Sequence, residues 1–211
     1  MNFTFGITTD FGNYSQIDEV IKSIDDLKIP NYEVIIIGDT KKENAEKLKD
    51  RANLIYFDET IKPGWITKKK NMLVENAKYD NVVVFHDYFV FDKDWYKNYL
   101  TFGEDWDVCS NAQILINNKR HFTDWVCWDS PLFPRYTSLK YTDWSHTEYM
   151  YQSGGYFLVK KQFFSKYKLN EDMVWGTPED VEWSLRMRNE ANWKCNGDSI
   201  VKHNKVHRDA K

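Results

Sequence analysis

The 211-residue chain carries 29 Lys and Arg against 32 Asp and Glu, and its net charge of -3 excludes a nucleic-acid binder that works through a global basic field. It has no apolar run of membrane-spanning length and no basic-then-apolar signal at its N-terminus, which predicts a soluble cytoplasmic protein with no membrane span. Three widely spaced cysteines, Cys109, Cys127 and Cys195, suit reduced thiols rather than a disulfide framework. Without an export signal, the sequons at Asn2 and Asn13 carry no expectation of glycosylation. The length fits one large α/β domain.

Phe3 to Thr8 reads as a first strand, ending in Thr8-Thr9-Asp10. Ser15-Gln-Ile-Asp has capping-box character, and Ile17, Val20, Ile21, Ile24 and Leu27 form the apolar stripe of a helix that Pro30 stops. Glu33 to Ile37 is a second buried strand closed by Gly38-Asp39; a polar helix over Lys41–Arg51 and a strand over Asn53–Phe57 follow. A helix from Thr67 to about Tyr79 delivers the chain to Val82-Val83-Val84-Phe85-His86-Asp87-Tyr88-Phe89, whose β-branched run reads as a fully buried strand. This strand–helix alternation predicts βαβ units and a mostly parallel central sheet flanked by helices.

The second half differs. Asp107–Asn117 reads as a strand, after which residues 118–151 lose periodicity and fill with Trp, Tyr, Pro and His. An irregular segment of that length inside a compact domain is usually functional. Tyr156–Lys160 resumes as a strand behind Gly154-Gly155, a short helix follows, and a helix from Glu179 to about Glu190 comes after Trp175-Gly176-Thr177-Pro178. The tail alternates weakly to Val201 and ends near His203 and His207. The chain thus reads as one domain over 1–211, with a nucleotide-binding half over 1–105 and an aromatic-rich, acceptor-shaping half over 106–211.

Two acidic positions carry the chemistry. In open α/β sheets ligands bind outside the carboxyl ends of strands, where His86 and Asp87 fall. A carboxylate there suits a divalent cation that neutralises a diphosphate leaving group. The bland alternatives are a turn cap for Asp87 and simple packing for His86. The second position is Glu179-Asp180, on the first helical turn after a Trp-Gly turn; acidic residues favour helix N-termini for structural reasons alone. The turn, however, can carry the pair into a cleft beside an aromatic wall, where a carboxylate can take a proton from an attacking hydroxyl.

On the strand-end Asp87, Trp175-Gly176 and Glu179-Asp180, nearly the whole chain resembles the GT-A fold glycosyltransferases, particularly inverting, family 2-like enzymes. More loosely it resembles the N-terminal domain of chlorella-virus glycosyltransferases that decorate capsid protein, which would place it in a host cytoplasm. The resemblance implies transfer of a hexose or deoxyhexose from a nucleotide sugar, UDP-linked, to a hydroxyl of a glycan or glycoprotein. It makes Asp180 the general base and Glu179 a ligand of an acceptor hydroxyl. It also implies Mn²⁺ or Mg²⁺ at Asp87 with a late histidine, His203 or His207, as a further ligand. Phe85-His86-Asp87 departs from the family's Asp-x-Asp pattern, leaving one metal ligand missing or replaced.

The resemblance assigns Thr8, Thr9, Asp10 and Asp39 to the base and ribose. Lys68, Lys70 and Asn71 match a basic-Asn segment near the nucleotide, of which one Lys is expected to point inward. Gly155 would allow close approach of the donor sugar, and His86 is counted among the residues that bind the nucleotide sugar. Trp175, Trp128 and Tyr156 are expected acceptor platforms: a 17% aromatic content can fill a core, yet Trp and Tyr also make flat apolar surfaces on which sugars stack. A catalytically inactive carbohydrate-binding relative and a sugar-phosphate nucleotidyltransferase are the alternatives. Thr8-Thr9-Asp10-Phe11-Gly12 is a poor match to the Gly-rich, basic loop of the latter.

Overall fold

The computed structural model describes residues 1–204. An eight-stranded sheet forms its centre, in the order β3-β2-β1-β4-β10-β6-β11-β5. Its members are β1 (Phe3–Thr8), β2 (Tyr32–Gly38), β3 (Asn53–Tyr56), β4 (Asn81–His86), β5 (Phe89–Phe91), β6 (Val108–Ile114), β10 (Tyr156–Lys160) and β11 (Trp193–His203). The β3-β2-β1-β4 block is wholly parallel, and β6 and β11 are parallel to each other. The strand β10 runs antiparallel between β4 and β6, and β5 lies antiparallel on β11. Strands from both halves of the sequence therefore share one mixed, mostly parallel sheet. A second sheet, β8-β7-β9, is antiparallel and small: β7 (Val126–Trp128), β8 (Tyr136–Ser138) and β9 (Met150–Tyr151).

Helices cover both faces, which is why the central strands read as unbroken apolar runs. Alternate residues feed two cores. Phe3, Phe5, Ile7, Val83 and Phe85 join the buried stripe of α1 (Tyr14–Asp26) and Trp95 and Tyr99 of α4 (Trp95–Phe102). Ile35, Ile37, Val82 and Val84 meet Leu73 and Val74 of α3 (Ile66–Asn76) and Trp183 of α6 (Glu179–Met187). A Cβ on Gly6 would lie 1.8 Å from Leu73, so the absence of a side chain there lets α3 seat directly on β1.

Several expectations are corrected. Asn13, not Ser15, caps α1, its side chain accepting the Gln16 N–H. The polar helix over Lys41–Arg51 reduces to one turn, α2 (Glu43–Glu46), for only Ala45 and Leu48 of the segment reach the core. The strand through Phe89 stops at His86; after the turn at Asp87-Tyr88, Phe89–Phe91 pairs as β5 on the far edge. The helix α4 was not foreseen. The 118–151 segment contains the small sheet, with strands too short for periodicity to reveal. Strand β10 leads into α5 (Lys161–Lys166). Among the described residues no helix is long and apolar enough to cross a membrane.

Candidate active site

Strand polarity brings the predicted residues to one edge. Thr8 ends β1 opposite His86, which ends the parallel β4. Because β10 runs the other way, its entrance at Gly154-Gly155 lies on that same edge. His203, ending β11, arrives there opposite Phe89.

Between the ends of β1 and β4 lies a cleft of about 390 Å³ lined by Thr8, Thr9, Asp10, His86, Asp87 and Tyr88, with Ile66, Lys69 and Trp175 opposite. The Asp87 carboxylate accepts the Thr9 hydroxyl at 2.5 Å and the Gln16 amide at 3.3 Å, and that same amide reaches the Asp87 carbonyl at 3.0 Å. These bonds fix the side chain at the strand tip. The Thr8 hydroxyl lies 3.1 Å from His86 Nδ1, and the His86 ring stacks on Tyr88. Burial, with the Asp87 charge adding to it, pushes the Tyr88 phenol up to about 12. The Asp10 carboxylate accepts the Gly12 N–H at 2.6 Å, closing the turn after β1. Trp175 is 73% exposed, an apolar plate over the cleft, held by its N–H to the Gly64 carbonyl at 2.7 Å. Gly64 (φ +69) and Gly176 (φ +86) take backbone angles that only glycine adopts without strain, and so set the plate's position.

The donor set at this cleft fits a hard divalent cation of a particular kind. Mg²⁺ and Mn²⁺ beside nucleotides are held by one or two carboxylates, with phosphate oxygens and water completing the shell. Asp87 supplies such a carboxylate, and His86 stands next to it on the same cleft wall. No three His, Cys, Asp or Glu side chains converge as a ready-made cage among the described residues.

Asp180 sits on the other side of the Gly154-Gly155 turn. Its Oδ2 accepts the Tyr151 hydroxyl at 2.6 Å and the Gly154 N–H at 3.0 Å, while Oδ1 accepts the Val181 N–H at 2.9 Å. One residue on, the Gly155 carbonyl accepts the His86 N–H at 3.1 Å, and a Cβ on Gly155 would lie 3.4 Å from the Tyr88 hydroxyl. Two adjacent residues of one turn thus touch Asp180 on one side and the His86–Tyr88 strand tip on the other. Lys70, 1% exposed, is the inward lysine of its segment: a Cβ on Gly154 would lie 2.9 Å from its Nζ. Burial lowers the Lys70 pKa, opposed by the charges of Glu179 and Asp180. Burial likewise raises that of Glu179, with the Lys70 charge opposing.

Other predicted residues are engaged elsewhere. Lys68 pairs with Glu171 at 3.0 Å, and Asn71 is tied to the Leu169 backbone and to Glu171; both anchor the 169–171 segment because their helical positions face it rather than the cleft. Their neighbour Lys69 lines the cleft instead, ion-paired with Glu59. Asp39 stands at the end of β2, accepting the Lys41 N–H in a turn. Tyr156 is fully buried with its hydroxyl on Asn111 at 2.6 Å, a core residue and no platform, since its place in β10 aims it at α4. Trp128 lies in the small sheet, its ring 5.8 Å from those of Tyr136 and Tyr151, with the Arg135 guanidinium over it. His203 is buried, with Nε2 3.1 Å from Gln113 Oε1 and its ring stacked on His121. His207 lies outside the described residues.

Sequence reasoning missed Gln16, Lys69 and Tyr151. Gln16 sits in the first helical turn after β1, where a side chain can reach a neighbouring strand tip, so its position offered a signal. Tyr151 offered none, lying in a two-residue strand inside the aperiodic segment.

No family model matches this chain, and no curated protein matches it in sequence. Solved structures do match in fold. A structure of GalNAc-T7 with UDP, GalNAc and Mn²⁺ is 13% identical, with a TM-score of 0.73 over 98% of this chain and 44% of that one. S. aureus TarS 1-349 in complex with UDP-GlcNAc is 15% identical, with a TM-score of 0.65 over 100% of this chain and 60% of that one. A further structure of S. aureus TarS 1-349 is 16% identical, with a TM-score of 0.63 over 98% of this chain and 59% of that one. The chain spans about 60% of TarS 1-349 and less than half of the GalNAc-T7 structure. With its curled, mostly parallel sheet between helices and its cleft at the strand ends, the chain has the fold of the GT-A glycosyltransferases.

Proposed function

We propose that this chain is a nucleotide-sugar-dependent glycosyltransferase that uses a UDP-sugar and inverts the configuration of the transferred hexose or deoxyhexose. The observation that carries the reading is the Gly154-Gly155 turn, which bonds Asp180 through one amide and the tip of β4 through the next carbonyl. It supports two carboxylates with separate tasks around one reaction centre, Asp87 toward the donor diphosphate and Asp180 toward the acceptor. Neighbours of the same fold that carry UDP-GlcNAc, or UDP with Mn²⁺, agree with this choice of donor and cation.

The donor enters the cleft of Thr8, Thr9, Asp10 and Asp87, with Trp175 as an apolar wall. Asp87 would hold Mn²⁺ or Mg²⁺, and the cation, when bound, would supply positive charge against the leaving diphosphate. Asp180 accepts the proton of a hydroxyl on the glycan or glycoprotein acceptor while that oxygen forms its bond to the anomeric carbon. The bond from the anomeric carbon to the diphosphate oxygen breaks, and its electron pair leaves with UDP. Glu179 and Lys70 flank the base, and the Trp128 face of the small sheet offers a platform for an acceptor ring. Holding both reactants in this geometry supplies the proximity that a bimolecular reaction in water lacks.

A panel of nucleotide sugars with Mn²⁺, followed by nucleotide release in the presence of mixed glycan acceptors, tests the reading. Acceptor-dependent release of UDP from one donor is expected. Release of pyrophosphate from a sugar phosphate and UTP would make the protein a nucleotidyltransferase, and donor binding without turnover would make it a carbohydrate-binding relative.

A further inference from the structure

The assignment of Asp180 as base leaves open what fixes its carboxylate, and the aperiodic segment supplies the answer. Tyr151 closes the small β8-β7-β9 sheet, and its hydroxyl donates to Asp180 Oδ2 at 2.6 Å. The same oxygen takes the Gly154 N–H at 3.0 Å, whereas among the described residues Oδ1 takes the N–H of its own neighbour Val181, at 2.9 Å. The Tyr151 ring stands 5.8 Å from Trp128 and 6.0 Å from Tyr136, so it is locked in an aromatic cluster built by all three short strands. A side chain that long, pinned at its ring and bonded at its tip, has little freedom to release the carboxylate. Ser184 adds a brace, its hydroxyl donating to the Asp180 carbonyl at 2.6 Å and accepting the Gln152 N–H at 2.9 Å, so α6 and the strand that carries Tyr151 are stitched together.

Resting on the reading of Asp180 as base, we propose that Tyr151 is the positioning residue of the reaction: it saturates Oδ2 and thereby presents Oδ1 as the oxygen that receives the acceptor proton. The small sheet then has a double use. Its Trp128 face meets the acceptor, and its last strand sets the base against which that acceptor is deprotonated, so the acceptor platform and the base move as one body. The titratable groups around Asp180 are Glu179 on its own helix, Lys70 from α3, Tyr151 from β9 and Tyr136 from β8. Of these only Tyr151 is bonded to the carboxylate.

Tyr151→Phe removes one hydroxyl and keeps the ring in its cluster. Losing a hydrogen bond to a charged group is expected to lower kcat about ten- to hundredfold. The KM for the donor, and UDP affinity measured by titration calorimetry, stay within a few-fold. In an Asp180→Asn background, Tyr151→Phe is expected to add no further loss. Unchanged kcat overturns the inference, as does a loss of UDP affinity in step with kcat. Retained transfer by Asp180→Asn alone removes the underlying assignment of the base instead. Should Tyr151→Phe fold poorly, Ser184→Ala probes the same brace: it is expected to lower kcat with donor KM kept, and an unchanged kcat counts against the inference.

Discussion

The two sides of the cleft are built by different means. The donor side is an extension of the core: Thr8, His86 and Asp87 are the tips of strands whose alternate residues fill both buried layers, and their positions follow from β1 and β4 pairing in register. The acceptor side is made of side chains from an aperiodic segment, tied to α6 through single hydrogen bonds such as Tyr151 to Asp180. Main-chain register therefore positions Asp87, the proposed diphosphate side, and a network of hydroxyls and carboxylates positions Asp180, the proposed base. A change on the donor side is expected to alter binding, and one on the acceptor side to alter turnover.

The largest expected effect falls on the acceptor side. Asp180→Asn keeps the shape and removes the basic oxygen, and kcat is expected to fall by about 10²- to 10⁴-fold. Stopped assays of UDP formation measure this, and retained turnover would pass the role to Glu179 or Glu182. On the donor side, Asp87→Asn is expected to weaken Mn²⁺-dependent UDP binding by at least about tenfold, read by calorimetry with and without the cation. Loss of UDP affinity that is the same with and without Mn²⁺ would deny Asp87 its cation.

Trp175→Ala tests whether the exposed plate belongs to the donor cleft it lines. Loss of a stacking surface is expected to raise the donor KM by about tenfold with the melting temperature unchanged, since the ring is 73% exposed. A rise in acceptor KM alone would move the plate to the other side of the comparison.

The smallest effect on activity, since it bears on stability, concerns a buried core thiol and a phenol of the cleft wall. Burial pushes the Cys109 thiol and the Tyr88 phenol each to about 12. Between their ordinary values and about 12 the folded chain holds protons that the unfolded chain has lost, so stability falls as pH rises through that window. The contribution is present in full below pH 9 and its loss amounts to the order of a few kcal/mol, visible as a falling urea midpoint from pH 9 to pH 11. A flat midpoint over that range would contradict the burial of these groups.

The same division explains what could be read from the sequence. The parallel block was legible because strands covered on both faces, such as Val82-Val83-Val84-Phe85, have no polar alternation to confuse with a loop. Strand-end chemistry followed from them, so Asp87 and Thr8-Thr9 were found at their cleft. The Trp-Gly turn placed Asp180 on the first turn of a helix, and α6 does begin at Glu179. Lys68 and Asn71 went astray because a run of Lys-Lys-Lys-Asn does not reveal which residue of a helix faces inward; packing against β1 chose Lys69 and Lys70. Tyr156 was taken for a platform because burial depends on which face of β10 points at α4, a tertiary fact. The small sheet was illegible for a different reason: strands of two or three residues carry no period, and their stability comes from aromatic contacts between residues far apart in sequence.

One paired measurement bears most directly on a cleft with two separately employed carboxylates: UDP affinity in Mn²⁺ and sugar transfer, each for Asp87→Asn and Asp180→Asn. The account predicts a crossed result, with Asp87→Asn losing UDP affinity and Asp180→Asn binding UDP within a few-fold of the unaltered protein while its sugar transfer falls by at least about a hundredfold. Parallel losses of affinity in both variants, or transfer that survives without the Asp180 carboxylate, would contradict it.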